Sequence, residues 1–165
     1  MPVFKGVQYE LPPPHLKKGD IVADFTVVNR SFEPIKLSHF DSFKLVVISV
    51  VPSLDTGVCD AQTHRVNETL TRFPGLVVLT ISNDLPFAQK RWCGNAGLDN
   101  IHVFSDYLHL DFAAKTGTLI PPFRLLNRTL ILLDQHHRVL HVEYVENNST
   151  HPNYDALVAA IEAHL

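Results

Sequence analysis

The chain has 165 residues, 45% of them hydrophobic and 19% charged, and its formal net charge is −3. This composition allows a buried core and disfavours disorder, and the slightly acidic balance disfavours binding to nucleic acid or anionic membranes, because both need a basic surface. No apolar run reaches the length of a transmembrane helix. The first residues, MPVFKGVQYELPPP, do not resemble a secretory signal, which predicts a cytoplasmic location.

The first 43 residues predict only short elements. An extended stretch over 7–11 runs into three consecutive prolines, which is typical of a hairpin or arm followed by a stiff loop. Short strands are predicted at 25–28 and 34–37. Residues 38–43 predict a loop or a single helical turn.

Three longer elements follow. The run KLVVISVV over 44–51 is rich in β-branched residues and almost unbroken, which predicts a central strand covered on both faces. Residues 57–73 predict a helix, closed by a Pro-Gly pair. Residues 76–82 predict a second buried strand.

A short helix is predicted after the second buried strand. Asp84 is expected to cap its start, and Pro86 is tolerated in the first turn. The helix is expected to run to about Cys93 and to stop at Gly94 and Gly97, because glycine favours helix ends.

The remaining residues complete an alternating pattern. From residue 44 the order of strands and helices predicts an α/β fold with a mixed sheet, and the length predicts a single domain over residues 1–165. The last predicted elements are a strand at 101–104, a weaker helix at 108–115, a loop at 116–126, a hairpin of 129–133 with 139–145, and an amphipathic helix at 154–165.

Two cysteines are too few for a tetrahedral zinc site, and the chain has no CxxC motif. Cys59 is predicted in the first turn of a helix beyond the carboxyl end of a central strand, where the helix dipole favours a thiolate. Thr56 precedes it by one turn, so its hydroxyl is expected near the sulfur or a bound oxygen. Pro52 is expected to form part of the pocket wall without adding an N–H donor. The alternative is that Cys59 is a small buried hydrophobic residue.

The segment Pro52-x-x-x-Thr56-x-x-Cys59 resembles the peroxidatic motif of peroxiredoxins. The longer strings VVPSLDTGVCDAQT and SNDLPFAQKRWCG resemble the thiol peroxidase branch, which are atypical two-cysteine enzymes. The resemblance implies an α/β thioredoxin-like fold with a central mixed sheet, flanking helices and an N-terminal β-hairpin in residues 1–18. It also implies reduction of hydrogen peroxide and organic hydroperoxides, recycling by thioredoxin, a homodimer, and no metal or organic cofactor.

The same resemblance implies roles for five residues. Cys59 would be the peroxidatic cysteine, Cys93 would resolve it as an intramolecular disulfide, and Pro52 and Thr56 would surround the sulfur. Arg128 matches the arginine that enters the pocket from a later strand, and it is ranked above its neighbour Arg124. The preceding loop, 117–127, is shorter than is usual in the family and holds two prolines, which bears on substrate preference and dimer contacts.

Other interpretations carry less weight. The protein would be a redox sensor if its disulfide passed to a partner protein, or a binding domain if the thioredoxin-like fold were kept without activity. A general disulfide oxidoreductase is disfavoured because it needs a CxxC at this helix start. His136, His137 and His141 cluster in sequence but lack the spacing of metal ligands. Trp92 is expected to pack, and His64 to influence the site weakly at most.

Overall fold

The computed structural model describes residues 1–98 and 100–165. Its strands are β1 (Val3–Phe4), β2 (Val7–Gln8), β3 (Thr26–Val28), β4 (Pro34–Lys36), β5 (Leu45–Val50), β6 (Leu76–Ser82), β7 (His102–Ser105), β8 (Leu119–Ile120), β9 (Leu125–Leu126), β10 (Thr129–Asp134) and β11 (Val139–Tyr144). Its helices are α1 (Gly57–Leu70), α2 (Pro86–Ala96), α3 (Asp111–Thr116) and α4 (Tyr154–Glu162), with a 3-10 turn at Leu37–Phe40.

Seven strands form one mixed sheet in the order β11-β10-β5-β6-β7-β3-β4. The central strands β5, β6 and β7 are parallel, while β10 and β3 pair antiparallel to the strands beside them. Every residue of β5 and β6 is buried, as their unbroken apolar sequences require. The predicted α/β class with a central mixed sheet is confirmed.

Alternate residues of β5 pack into separate cores on the two faces of the sheet. Val46 and Ile48 join the core that includes Phe112 of α3, whereas Leu45 and Val47 join the core that includes residues of α1 and α4. A fully buried aliphatic side chain contributes about 1.5–3 kcal/mol to stability, so this central strand is held firmly. The carboxyl end of β5 is therefore a rigid base for the loop that follows.

In residues 1–98 and 100–165, none of the helices combines the length and the apolar character of a membrane span.

The N-terminal residues form a small hairpin that is fastened to the other end of the chain. β1 and β2 pair antiparallel around Lys5 and Gly6, both with positive φ, as a tight hairpin turn requires. The amide of Val3 donates to the carbonyl of Glu146 at 2.7 Å. Further along the arm, the Pro12–Pro14 segment lies against Gly117, where a Cβ would stand 2.0 Å from the Pro14 carbonyl oxygen, so only glycine fits there.

Helix α2 differs from the prediction at both ends. Asp84 does not cap it: the N-cap is Leu85, without a side-chain hydrogen bond, and the Asp84 carboxylate instead bonds to the loop after β5. Gly94 does not end it either, because the helix continues to Ala96. Gly97 is the C-cap at φ 71°, a left-handed conformation that glycine adopts without strain. Cys93 consequently lies inside the last turns of a formed helix.

The segment predicted as a loop at 116–126 contains the antiparallel pair β8–β9. Its tip holds the two prolines and Phe123, whose ring meets Phe4 edge-on with centroids 5.1 Å apart. The preceding helix, α3, begins at Asp111 rather than at 108, because Leu110 has a left-handed φ of 52°. The carboxylate of Asp106 accepts the first amides of α3, and burial raises its pKa to about 6.

Candidate active site

Cys59 is the third residue of α1 and is fully buried. The helix follows directly on the loop after β5, so the sulfur lies beyond the carboxyl end of a central strand, as predicted. Thr56 is the N-cap in an extended conformation, and its carbonyl accepts the amide of Asp60 at 2.9 Å. Cys59 therefore lies in the first turn of α1, at the helix end where free amides gather.

The loop that presents Cys59 is anchored by Asp84. The Asp84 carboxylate accepts the hydroxyl of Ser53 at 2.7 Å, the amide of Leu54 at 2.8 Å and the hydroxyl of Ser82 at 2.7 Å. These bonds tie residues 53 and 54 to the end of β6. Asp84 thus holds the entry to α1 in place, which explains why it is not used as the cap of α2.

The structure brings Arg128 to the sulfur. Its side chain is 1% exposed, and its Nη2 donates to Cys59 Sγ at 3.2 Å. Nη1 donates to Gln62 Oε1 at 2.9 Å, while Nε and Nη2 both donate to the carbonyl of Asn148, at 3.1 and 2.7 Å. Arg124, the competing candidate, is exposed on the turn between β8 and β9.

Gln62 was not assigned a role by sequence reasoning. It lies one turn after Cys59 on the same face of α1, is fully buried, and donates from Nε2 to Ser49 Oγ of β5 at 2.9 Å. Its carbonyl is thereby turned towards Arg128. The spacing of three residues from the cysteine was a signal for this role, whereas no pattern in the sequence pointed to Asn148.

A cavity of about 140 Å³ lies next to the start of α1 and to Arg128, and the buried Cys59 does not line it. Thr56 lines it, but the Thr56 hydroxyl donates to the carbonyl of Ser53 at 3.3 Å and not to Cys59 Sγ. Pro52 is buried and does not line this cavity. The full lining consists of Phe4, Lys5, Thr56, Gly57, Val58, Arg128, Asn148 and Ser149.

Cys93 lies on α2 and is fully buried, in the same small apolar cluster as Cys59. No disulfide joins these two described residues. The cluster also holds Val51, Leu54 and Val103, with Trp92 packed against it. The structure thus places both cysteines in one apolar environment, on two different helices.

A polar contact next to the cysteines joins the two helices. Trp92 Nε1 donates to Asp60 Oδ1 at 2.9 Å, and the ring of His64 lies 5.4 Å from the ring of Trp92. Trp92 is therefore more than a packing residue, because it connects the helix of Cys93 to the helix of Cys59. Among residues 1–98 and 100–165, no three His, Cys, Asp or Glu side chains are grouped as metal ligands.

Known proteins with similar sequences and structures are redoxins, thiol peroxidases and peroxiredoxins. The Redoxin family model covers residues 17–158. The thiol peroxidase of Bacillus subtilis is 43% identical over 160 residues, covering 97% of this chain and 95% of that protein. The thiol peroxidase of Streptococcus pneumoniae R6 is 43% identical over 163 residues, covering 99% of each. Among solved structures, a peroxiredoxin-like protein from Aquifex aeolicus superposes with a TM-score of 0.85 at 33% identity, covering 93% of this chain and 90% of its own.

Proposed function

This chain belongs to the Redoxin family and is a thiol-dependent peroxidase of the peroxiredoxin type, and from that premise we propose that Cys59 is the peroxidatic cysteine. The substrates of the enzyme are hydrogen peroxide and organic hydroperoxides, and we propose that they reach Cys59 by way of the cavity lined by Thr56 and Arg128. A coupled assay with thioredoxin, its reductase and NADPH tests this proposal. Oxidation of NADPH that depends on added hydroperoxide supports it, and its absence with both hydrogen peroxide and cumene hydroperoxide contradicts it.

One observation carries the assignment of Cys59: a buried guanidinium lies 3.2 Å from its sulfur. A buried cation is costly unless a negative charge or several acceptors compensate it. Among the described residues, the acceptors of the Arg128 side chain are the neutral oxygens of Gln62 and Asn148 and the sulfur itself. These acceptors carry no charge, so in this proposal the thiolate of Cys59 supplies the anion that balances Arg128.

The oxidation step then follows from this geometry. The Cys59 thiolate attacks one peroxide oxygen, an S–O bond forms, and the O–O bond breaks. The products are a sulfenic acid and an alkoxide or hydroxide, which takes up a proton to leave as alcohol or water. Arg128 donates hydrogen bonds to the peroxide and stabilises the negative charge on the departing oxygen. Thr56 lines the cavity, and its hydroxyl becomes a donor to bound peroxide when it leaves Ser53. Pro52 is buried in the loop before α1 and adds no N–H donor there.

Cys93 is the resolving cysteine of this proposal. Its thiolate attacks the sulfenic sulfur of Cys59, an S–S bond forms within one chain, and hydroxide leaves and is protonated to water. A thioredoxin-type dithiol reduces the disulfide by exchange. Axes of packed helices lie about 8–10 Å apart, whereas a disulfide needs Cα atoms within about 7 Å and aligned Cβ vectors. We therefore expect α1 and α2 to loosen locally before the two sulfurs bond. The contact between Trp92 and Asp60 is expected to break in that step.

Trp92 is the single tryptophan of the chain, so its fluorescence reports this rearrangement directly. One equivalent of hydrogen peroxide is expected to change the fluorescence of the reduced wild-type protein. The variant Cys93→Ser is expected to consume one equivalent, to lose this fluorescence change, and then to stall and overoxidise. Intact mass spectrometry without reductant should find a Cys59–Cys93 link within a monomer. A link only between chains, or full thioredoxin-dependent turnover by Cys93→Ser, would contradict the mechanism.

A homodimer is also part of the proposal. Phe87 is 70% exposed, and its ring packs on Phe32, which is itself 41% exposed. Leu85 and Leu108 are half-exposed, and Leu108 lines one cavity together with Phe32. Contiguous apolar patches of this kind mark contact surfaces. Light scattering at micromolar protein is expected to give about twice the chain mass of 18.6 kDa, and Phe87→Glu is expected to lower it towards the monomer. A monomeric wild-type protein would refute the dimer.

Two further parts of the proposal concern organisation and location. We propose that residues 1–165 act as one domain, with 1–18 as an N-terminal arm. The hydrogen bond from Val3 to Glu146 supports this, because it ties the arm to the segment after β11. We propose a cytoplasmic location, where thioredoxin keeps Cys59 and Cys93 in the thiol form between turnovers.

A further inference from the structure

Arg128 is held by one residue of the segment after β11. The carbonyl of Asn148 accepts both Nε and Nη2 of the guanidinium, at 3.1 and 2.7 Å, and the Asn148 side-chain oxygen accepts the backbone amide of Arg128 at 2.8 Å. Two of the three guanidinium nitrogens, Nε and Nη2, thus donate to a single carbonyl. The second hydrogen of Nη2 is left for Cys59 Sγ, so the position of this carbonyl decides where the donor points.

Asn148 lies outside the regular strands and helices, so its own position depends on its side chain. Asn148 is 3% exposed, and its Nδ2 donates to the carbonyl of Val3 at 2.9 Å and to the hydroxyl of Tyr9 at 2.7 Å. The backbone amide of Asn148 also donates to the carbonyl of Val3, at 3.2 Å. The N-terminal hairpin and the residue after it therefore hold the residue that holds Arg128.

The hydroxyl of Tyr9 completes this buried network. It donates to the side-chain oxygen of Asn127, which precedes Arg128 in the chain. Burial raises the pKa of Tyr9 to about 12, so the hydroxyl stays protonated and remains a donor at neutral pH. Every polar group of Asn148 has a hydrogen-bond partner in this network, and a fully bonded network holds its members rigidly.

We propose that Asn148 is a positioning residue that aims the Arg128 guanidinium at Cys59 and couples this aim to the N-terminal hairpin. The inference rests on the proposed roles of Cys59 and Arg128. It gives residues 3–9 a role in the site, because they hold Asn148 in position. Displacing the hairpin would shift the Asn148 carbonyl, and a shift of about 1 Å at a reacting geometry is enough to cost up to 100-fold in rate.

The test compares Asn148→Ala with Asn147→Ala, each in a Cys93→Ser background so that only Cys59 reacts. Asn147 is the neighbouring residue of the same segment, and its exposed side chain accepts locally from the amide of Ser149. Its backbone pairs with Val3 in an isolated bridge, which the change to alanine leaves in place. Two readouts are used: the rate of the first oxidation by hydrogen peroxide, and the pH profile of Cys59 alkylation by iodoacetamide. A merely structural role would leave the alkylation profile in place.

Asn148→Ala is expected to slow oxidation about 10- to 100-fold and to move the alkylation profile to higher pH, because the thiolate loses its aligned cation. Asn147→Ala is expected to match the parent protein. Tyr9→Phe, which removes one hydroxyl and keeps the ring, is expected to shift both readouts in the same direction by a smaller amount, and it decides the question if Asn148→Ala does not fold.

Parent-like values for Asn148→Ala, or for Tyr9→Phe where Asn148→Ala does not fold, overturn the inference. The variant Arg128→Ala separates this failure from a failure of the proposed function. If Arg128→Ala changes both readouts and Asn148→Ala changes neither, only the positioning role is wrong. If Arg128→Ala also leaves both unchanged, the proposed role of Arg128 falls first, and the positioning role falls with it.

Discussion

Replacing Cys59 by serine is expected to abolish peroxide reduction while the protein stays folded. The change is nearly isosteric, but a serine hydroxyl remains protonated at neutral pH and does not attack the peroxide oxygen. Loss of the nucleophile is expected to reduce turnover by more than about a thousandfold. The coupled thioredoxin assay and a single-turnover mixing experiment measure this loss.

The fold of Cys59→Ser is expected to survive because the hydroxyl keeps an acceptor in place of the sulfur. Arg128 Nη2, now 3.2 Å from Sγ, retains a partner, and so no buried donor is abandoned. Circular dichroism and thermal unfolding check this point. Cys93→Ser serves as the matched control, since it should still be oxidised once. Substantial turnover by a folded Cys59→Ser would show that the nucleophile lies elsewhere.

Replacing Arg128 by alanine is expected to slow the oxidation of Cys59 by about 100-fold or more, the usual consequence of losing one transition-state donor. A hundredfold loss corresponds to about 2.7 kcal/mol of transition-state stabilisation. The physical reason is twofold: the thiolate loses the cation beside it, and the departing oxygen loses its donor. The rate of peroxide consumption in a single turnover measures the first oxidation step directly.

Arg124→Ala is the matched control for this prediction. Arg124 is exposed on the β8–β9 turn, so its removal is expected to change the rate little. Arg128→Lys is expected to recover only part of the loss, because an ammonium cannot span Gln62, Asn148 and Cys59 as the guanidinium fork does. A larger effect from Arg124→Ala than from Arg128→Ala would reject the assignment.

The strands and helices that carry the site were predictable from local patterns. The β-branched run of β5 has no polar residue except Ser49, and a fully apolar strand of that length is stable only in the middle of a covered sheet. The placement of Cys59 at the start of α1 followed from the break at Pro52 and the pattern that begins at Gly57. These are properties of neighbouring residues, which is why the sequence reveals them.

Elsewhere the local pattern was overruled by distant partners. Asp84 is of a residue type that often caps helices, but its carboxylate accepts hydrogen bonds from Ser53 and Leu54, about thirty residues away in the chain. The loop predicted at 116–126 pairs with itself as β8 and β9. The start of α3 is set by the left-handed Leu110 and by the carboxylate of Asp106, and neither is visible as a pattern.

The sequence by itself determined the class of the fold, the place of Cys59 in the first turn of α1 and, through the Pro52–Cys59 motif, the family. Only the tertiary structure decided how the site is assembled. Arg128 reaches the sulfur across 69 positions of sequence, Gln62 turns towards it from α1, and Asn148 joins it to a hairpin at the opposite end of the chain. The physical reason is that backbone periodicity reports which face of its own element a residue occupies. Which buried donor meets which acceptor depends on how separate elements pack, and that information exists only in the folded chain.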